Sequence, residues 1–294
     1  MLNVKPLSIH IGAEIHDVDL TKPLATDQIS DIKTALLQWK VVFFRNQPLN
    51  HRQHIDFARQ FGEPTPGHVV FGGDKTYPEI YSIAKERTAN RNRHLAPLRP
   101  WTGWHTDITA AINPPWASIL RSDVVPLYGG DTHWTNLAAA FASLSPALQK
   151  FVETLHTEHR LALGEQTLAS IHPLVRVHPE TGERVLYVSP SFVKSVTGLK
   201  PHESQKLLEL LWEQAIRPEY TVRFKWEPGS IAFWDNRSTA HLAPTDIFDS
   251  DFERQFYRVT LVGDVPVGVD GELSRSVAGN PIGAAAKPSV ESSA

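Results

Sequence analysis

Apolar and polar positions alternate from Leu2 to Leu20 around several turn formers, the two-residue period of a strand pair. Behind Thr26, a candidate cap, the period lengthens: Ile29, Ile32, Leu36 and Leu37 fall on one stripe of a helix predicted over 27–39. Val41–Phe44 is a short apolar run suited to a buried strand. Asn50 can cap a second helix that carries Ile55, Phe57, Ala58 and Phe61 and stops at Gly62. From Pro64 to Pro100 the chain is rich in Gly, Pro, Asn and Arg and reads as long loops, with one strand at 79–83.

Beyond Trp104 the texture is one of short runs separated by Pro and Gly. Strands are predicted at 105–109, 117–122, 131–135, 174–178, 185–188, 222–226, 230–234 and 257–263. Two helices interrupt them. One has Ser145 as cap and Pro146 in its first turn and runs to Leu155; the other covers 202–215. Such spacing indicates a mainly β sandwich or barrel with helices packed outside. A chain of 294 residues admits one or two domains; the run of short strands favours a single domain over 1–279, followed by an Ala-, Ser-, Gly- and Pro-rich tail over 280–294 with nothing to bury and expected to be disordered.

Composition narrows the function classes. With 29 basic and 32 acidic residues, net charge −3 and no basic block, the footprint of a nucleic-acid or anionic-membrane binder is missing. No cysteine is present, so disulfides, thiolate-bound zinc, iron–sulfur clusters and thiol nucleophiles are excluded, and any metal must sit on His, Asp or Glu. No signal-peptide-like or membrane-spanning apolar run is seen, and a cytoplasmic protein is expected.

Trp104-His105-Thr106-Asp107 is the first candidate for chemistry. In a strand, residues i and i+2 share a face, which would aim His105 and Asp107 at one point. His241 follows the strand that ends in Phe233-Trp234-Asp235-Asn236-Arg237 and would complete a two-histidine, one-carboxylate set, the ligand arrangement of non-haem Fe(II) oxygenases. By itself His-X-Asp is a common pair, and among 14 histidines most sit on the surface or hydrogen-bonded in the core. Trp101, Trp104, Trp116, Trp134 and Trp234 cluster near these motifs in sequence, as core aromatics also do.

A second signal comes from the C-terminal strand. Arg254, Phe256, Arg258 and Thr260 share one of its faces. If that face looks into a barrel, each guanidinium requires an anionic partner, since an unpaired buried charge costs several kcal/mol. No obvious carboxylates are at hand for both, and a bound dicarboxylate or an anionic substrate would serve; a solvent-facing pair is the plain alternative. Thr132, in the glycine turn Gly129-Gly130-Asp131-Thr132, offers a hydroxyl that could support a carboxylate.

Together these segments resemble the TauD/TfdA family of Fe(II)- and 2-oxoglutarate-dependent dioxygenases. The similarity runs from about Ile11 to Arg275. It is carried by Ile11-Gly12-Ala13-Glu14-Ile15, Val41-Val42-Phe43-Phe44-Arg45, Phe61-Gly62-Glu63, Trp104-His105-Thr106-Asp107, Gly129-Gly130-Asp131-Thr132, His172-Pro173-Leu174-Val175, His178-Pro179-Glu180-Thr181-Gly182, Trp234-Asp235-Asn236-Arg237 through His241, and Arg254 through Arg258. The resemblance implies a double-stranded β-helix, or jelly-roll, core. It also implies His105, Asp107 and His241 as catalytic iron ligands, Thr132 and Arg254 on the distal carboxylate of 2-oxoglutarate, and Arg258, His68 and Phe192 in the substrate pocket. Fe(II), 2-oxoglutarate and O₂ would be the cofactors, with succinate and CO₂ released as a C–H bond of a small anionic substrate is hydroxylated; a homo-oligomer, dimer or tetramer, is expected.

Val267-Gly268-Val269-Asp270-Gly271-Glu272-Leu273-Ser274-Arg275 is most similar to the alkylsulfatase branch. Two features depart from it: the stretch from His241 to Arg254 is longer, and the lid-like insert between His156 and His172 is very short while 87–103 is long. Aryloxyalkanoate oxygenases and tailoring enzymes acting on bulkier, for instance terpenoid, substrates share the scaffold. From other classes, a non-enzymatic jelly-roll binding protein and a metal hydrolase could both use the His-Asp-His set, though neither calls for Thr132, Arg254 and Arg258. Asp107 argues against a halogenase, which leaves that ligand position open.

Overall fold

The structure, a computed structural model, describes residues 2–68, 72–84, 99–163, 166–243 and 245–285. Its main element is a seven-stranded sheet in the order β1 (Asn3–Pro6), β2 (Ala13–His16), β3 (Val41–Phe44), β13 (Ile231–Asp235), β5 (Ala117–Val124), β15 (Gln255–Leu261) and β4 (Tyr81–Ala84). All neighbours are antiparallel except β2 and β3. A three-stranded sheet, β12 (Thr221–Phe224), β6 (Thr132–Asn136) and β14 (Thr239–Leu242), faces it.

Alternation along the central strands builds two cores from one sheet. Val42, Phe44, Ile119, Ile231, Phe233, Val259 and Leu261 point to the outer face. There they bury Ile32 and Leu36 of α1 (Thr26–Trp39) and Ile55 and Phe57 of α2 (His51–Arg59). Their sequence neighbours Val41, Phe43, Leu120, Ala232, Trp234 and Phe256 point inward and meet Trp134, Val222, Phe224 and Trp226 of the smaller sheet and its margin. Phe43 stacks on Phe224 with ring centroids 4.0 Å apart, and Trp134 meets Trp234 edge-on at 5.6 Å. Two apolar faces explain why Val41–Phe44 is an unbroken run: all four residues are buried. The result is the mainly β, jelly-roll architecture expected from the strand pattern.

A third core lies beside the sandwich. α3 (Leu137–Ala142), α4 (Pro146–Val152) and α5 (Pro201–Ala215) bury Leu137, Phe141, Val152, Leu208 and Leu211 against β9 (Val175–Val177), β10 (Arg184–Leu186) and β11 (Val193–Val196). β11 continues into a four-stranded sheet with β7 (His156–Leu163), β8 (Gln166–Pro173) and β16 (Arg275–Ala278).

Several expectations are corrected. The cap of α1 is Ala25 rather than Thr26; its free N–H is met by the Gln28 side chain, 3.0 Å away. Asn50 does cap α2, accepting from the Gln53 N–H at 2.9 Å. The segment 105–109 is not a strand: only His105 makes a bridge, and 107–110 are turns. Ordering also extends past Asn280, because Ile282 is buried and exchanges two hydrogen bonds with the Asn113 side chain. Residues 286–294 of the expected tail, and 85–98 of the long loop, lie outside the described residues. Among the described residues no helix is long and apolar enough to cross a membrane.

Candidate active site

His105 and His241, far apart in sequence, are held opposite each other by the backbone. The His105 N–H donates to the His241 carbonyl at 2.9 Å and the His241 N–H to the His105 carbonyl at 2.7 Å, a hydrogen-bonded antiparallel bridge between β14 and a residue outside any strand. On its other side His241 pairs with Trp134 of β6, so the smaller sheet is extended by one residue of the 103–106 segment. The two imidazoles project together, their centroids 4.1 Å apart. The His105 Nδ1 contact with the Gly103 carbonyl, 2.9 Å, makes Nδ1 the protonated nitrogen in the neutral ring and leaves the Nε2 lone pair toward Asp107.

Asp107 reaches the same point by a turn, not by strand alternation. The next residue, Ile108, takes a left-handed φ of 47°, a conformation that a β-branched residue rarely adopts. Asp107 Oδ1 lies 4.0 Å from both His105 Nε2 and His241 Nε2. One ligand atom from each of the three residues lies within 4.8 Å of the others, a grouping that could hold a metal ion. The second carboxylate oxygen is fixed from below: Ser118 Oγ donates to Oδ2 at 2.6 Å, Asn236 Nδ2 donates to Ser118 Oγ at 2.9 Å, and Trp234 Nε1 donates to Asn236 Oδ1 at 2.8 Å. This chain satisfies every buried polar group in turn and leaves Oδ1 aimed at the histidines.

Arg258 does face inward, as the shared-face reading of β15 requires, and its partner there is a protein carboxylate. Its Nη1 donates to Asp107 Oδ1 at 2.6 Å with both side chains buried. The expectation that no obvious carboxylate is at hand for both arginines is corrected for this one: Asp107 pairs with it. Burial alone would push the Asp107 carboxyl up, but Arg258 first, then His241, His105 and the Ser118 bond outweigh it and hold the group below the ordinary carboxylate range. Above Arg258 lies Tyr81, its cross-strand partner on β4, with the guanidinium carbon 5.2 Å from the ring centroid. His68 packs on Tyr81 with ring centroids 4.8 Å apart, which brings it within one side chain of Arg258.

Thr132 and Arg254 belong to a neighbouring wall. The Arg254 Nε–H donates to the Gly130 carbonyl at 3.2 Å, and its guanidinium lies 3.7 Å from the Phe256 centroid. Phe256 touches Trp226 at 4.7 Å, and Trp226 Nε1 donates to Thr132 Oγ1 at 2.9 Å. The two residues therefore border one strip of the barrel interior around Phe256, which lies two positions along β15 from Arg258. Phe192 is buried on a loop tied to the segment that carries His105 and Asp107, since the Thr106 N–H donates to Ser189 Oγ at 3.1 Å and Ser191 Oγ to the Trp104 carbonyl at 3.0 Å.

The family model for taurine catabolism dioxygenase TauD, TfdA family, matches residues 3–260. The chain belongs to the TauD/TfdA family. A Pseudomonas putida protein named alpha-ketoglutarate-dependent sulfate ester dioxygenase is 37% identical over 299 residues, covering 94% of each chain. An alkylsulfatase of Acinetobacter baylyi is 35% identical over 92% of this chain and 88% of its own. The crystal structure of a taurine dioxygenase from Burkholderia xenovorans superposes with a TM-score of 0.89 and 63% sequence identity, covering 95% of this chain and 96% of that one.

Within this family member, sequence reasoning missed Ser118, Gly103 and Tyr81. Ser118 left a faint signal, a small hydroxyl inside the apolar run Ala117-Ser118-Ile119-Leu120, where a buried polar group implies a partner. Tyr81 left none, because its role depends on the pairing of β4 with β15.

Proposed function

We propose that this protein is an Fe(II)- and 2-oxoglutarate-dependent dioxygenase that hydroxylates a C–H bond of a small anionic substrate of the alkyl sulfate or sulfonate class. The observation that carries the reading is the convergence of His105 Nε2, Asp107 Oδ1 and His241 Nε2 on one point. The donor set fits iron: two imidazoles and one carboxylate, one histidine held with its lone pair inward and the carboxylate braced by Ser118. When bound there, Fe(II) together with O₂ and 2-oxoglutarate supplies the oxidising power, with succinate and CO₂ as co-products.

The chain's own residues supply position and environment. Arg254 forms a charge-assisted pair with the distal carboxylate of 2-oxoglutarate, and Thr132 adds a hydroxyl to it. Arg258 attracts the substrate's anionic group, with His68 and Phe192 completing the pocket. Trp134 and Trp234 sit behind His241, at ring distances of 6.5 and 4.9 Å, and keep water from that side of the site. Hydroxylation of the carbon next to a sulfate oxygen gives a product that fragments, so the reaction is recorded as ester cleavage. The names of the sulfate ester dioxygenase and alkylsulfatase relatives support this substrate class. The reading includes a homo-oligomeric, cytoplasmic enzyme.

The test is a succinate-release screen with Fe(II), 2-oxoglutarate and O₂ over alkyl sulfates, sulfonates and aryloxyalkanoates, each beside a neutral analogue. Turnover of the anions alone supports the proposal. Equal turnover of the neutral analogues removes the substrate class.

A further inference from the structure

One carboxylate oxygen has two claimants. Asp107 Oδ1 is the oxygen that faces both His105 Nε2 and His241 Nε2 at 4.0 Å, and it is also the oxygen bonded to Arg258 Nη1 at 2.6 Å. The other oxygen is taken by Ser118. The Arg258 guanidinium offsets the charge of the Asp107 carboxylate through that one oxygen. A divalent ion entering on Oδ1 meets a buried guanidinium on the same atom, and in a site screened from water that repulsion is strong. A carboxylate oxygen has two lone pairs, so geometry alone would let both stay; the charge balance decides against it.

The displaced guanidinium has a place to go. Tyr81 stands directly opposite Arg258 in the β4–β15 ladder, its ring already within cation–π range, and its far side is backed by His68. Arg258 Nε is buried with no hydrogen-bond partner among the described residues, so the guanidinium is held on Asp107 through one terminal nitrogen and not through a full fork.

We propose that Arg258 is exchanged between Asp107 and Tyr81: without metal its guanidinium neutralises the oxygen that the ion takes, and metal loading transfers it to the face of Tyr81, where it becomes available to an anionic substrate. Tyr81 is thus a positioning residue that acts through Arg258. The inference rests on the metal site proposed above and adds a positive coupling between metal loading and anion binding, each favouring the other. An empty metal site withholds the arginine from substrate; a filled one presents it.

The readout is metal affinity. Metal-free full-length protein is titrated with Mn(II), followed by calorimetry and by quenching of tryptophan fluorescence, Trp234 lying 4.9 Å from His241. Arg258→Gln keeps a hydrogen-bond donor beside Asp107 but removes the charge, and is expected to bind Mn(II) about tenfold more tightly than wild type while losing affinity for an alkyl sulfate. Tyr81→Leu removes the second seat and should weaken Mn(II) binding several-fold, whereas Tyr81→Phe, which keeps the ring face, should restore it. Unchanged or weaker Mn(II) binding in Arg258→Gln overturns the exchange, as does equal behaviour of Tyr81→Leu and Tyr81→Phe. Both results leave the metal site standing, provided that His241→Ala abolishes Mn(II) binding. Equal binding by wild type and His241→Ala overturns the site and the exchange together.

Discussion

His105 and His241 exchange both of their backbone hydrogen bonds, at 2.9 and 2.7 Å, and this single pair brings two imidazoles from remote sequence positions side by side, their centroids 4.1 Å apart. The side chains inherit their alignment from the backbone, so either imidazole can be removed without unmaking the bridge. His105→Ala and His241→Ala should therefore fold, lose substrate oxidation and lose metal binding. Saturating Mn(II) raises the unfolding temperature of wild type by binding only the native state and leaves both variants unchanged. Retention of a metal-induced rise in either variant would place the ion elsewhere.

The proposed cosubstrate contacts of Arg254 and Thr132 can be tested separately. Truncating a buried charged partner typically costs about 2 to 5 kcal/mol. Arg254→Ala is expected to raise the 2-oxoglutarate concentration needed for half-maximal succinate release by at least about tenfold, since roughly 1.4 kcal/mol corresponds to one decade. Thr132→Val, which removes only the hydroxyl, should have a smaller effect of the same sign. Steady-state kinetics with 2-oxoglutarate as the varied component checks both, and an unchanged requirement in Arg254→Ala would show that another group holds the cosubstrate.

Among the described residues Ser118 braces the site by donating to Asp107 Oδ2. Losing an outer hydrogen bond to a ligating carboxylate typically costs about 10- to 100-fold in metal affinity. Ser118→Ala should weaken Mn(II) binding within that range and leave the far-ultraviolet circular dichroism unaltered. Wild-type affinity in this variant would mean that the turn at Asp107 alone fixes the carboxylate.

Most of the central strands were legible because their two faces are both apolar, as in Val41–Phe44 and Ile231–Trp234. The hairpin of β7 and β8 was not. Its buried positions Thr157, His159, Ser170 and His172 are polar, so the inside-out pattern that marks a strand is reversed there. Instead of apolar packing these residues form a hydrogen-bonded core: His159 Nδ1 meets Thr109 Oγ1 at 2.9 Å, and His172 Nε2 meets the Thr109 carbonyl at 2.8 Å. In the site, the grouping of His105, Asp107 and His241 was readable from residue type, but for a reason that fails in detail: Asp107 joins His105 through a turn with a left-handed residue. The periodicity of the last strand left the face of Arg258 open, and its pairing with Asp107 was hidden because the two residues meet only across the fold.

That polar hairpin core makes stability depend on pH. Burial lowers the His172 pKa from 6.5 to about 4, despite the opposing bond to the Thr109 carbonyl. Between those values the unfolded chain holds a proton that the folded chain refuses. Stability from this group is thus full above pH 6.5 and falls as the pH drops toward 4, by roughly 3 kcal/mol at 1.36 kcal/mol per pH unit. His159, held well below its ordinary value by burial and by His172, adds to the same trend. Urea unfolding at a series of pH values should show this decline in wild type and a shallower one in His172→Gln. An equal slope in both would assign the acid sensitivity to other groups.

The central claim, that His105, Asp107 and His241 support oxidation driven by 2-oxoglutarate, is tested most directly by measuring succinate and oxidised product together. Purified protein is supplied with Fe(II), 2-oxoglutarate, O₂ and an alkyl sulfate, in wild type and in His105→Ala. The account predicts succinate and product in equal amounts from the wild type, none without 2-oxoglutarate, and none from the variant. Product formed without succinate, or equal succinate from His105→Ala, would contradict it.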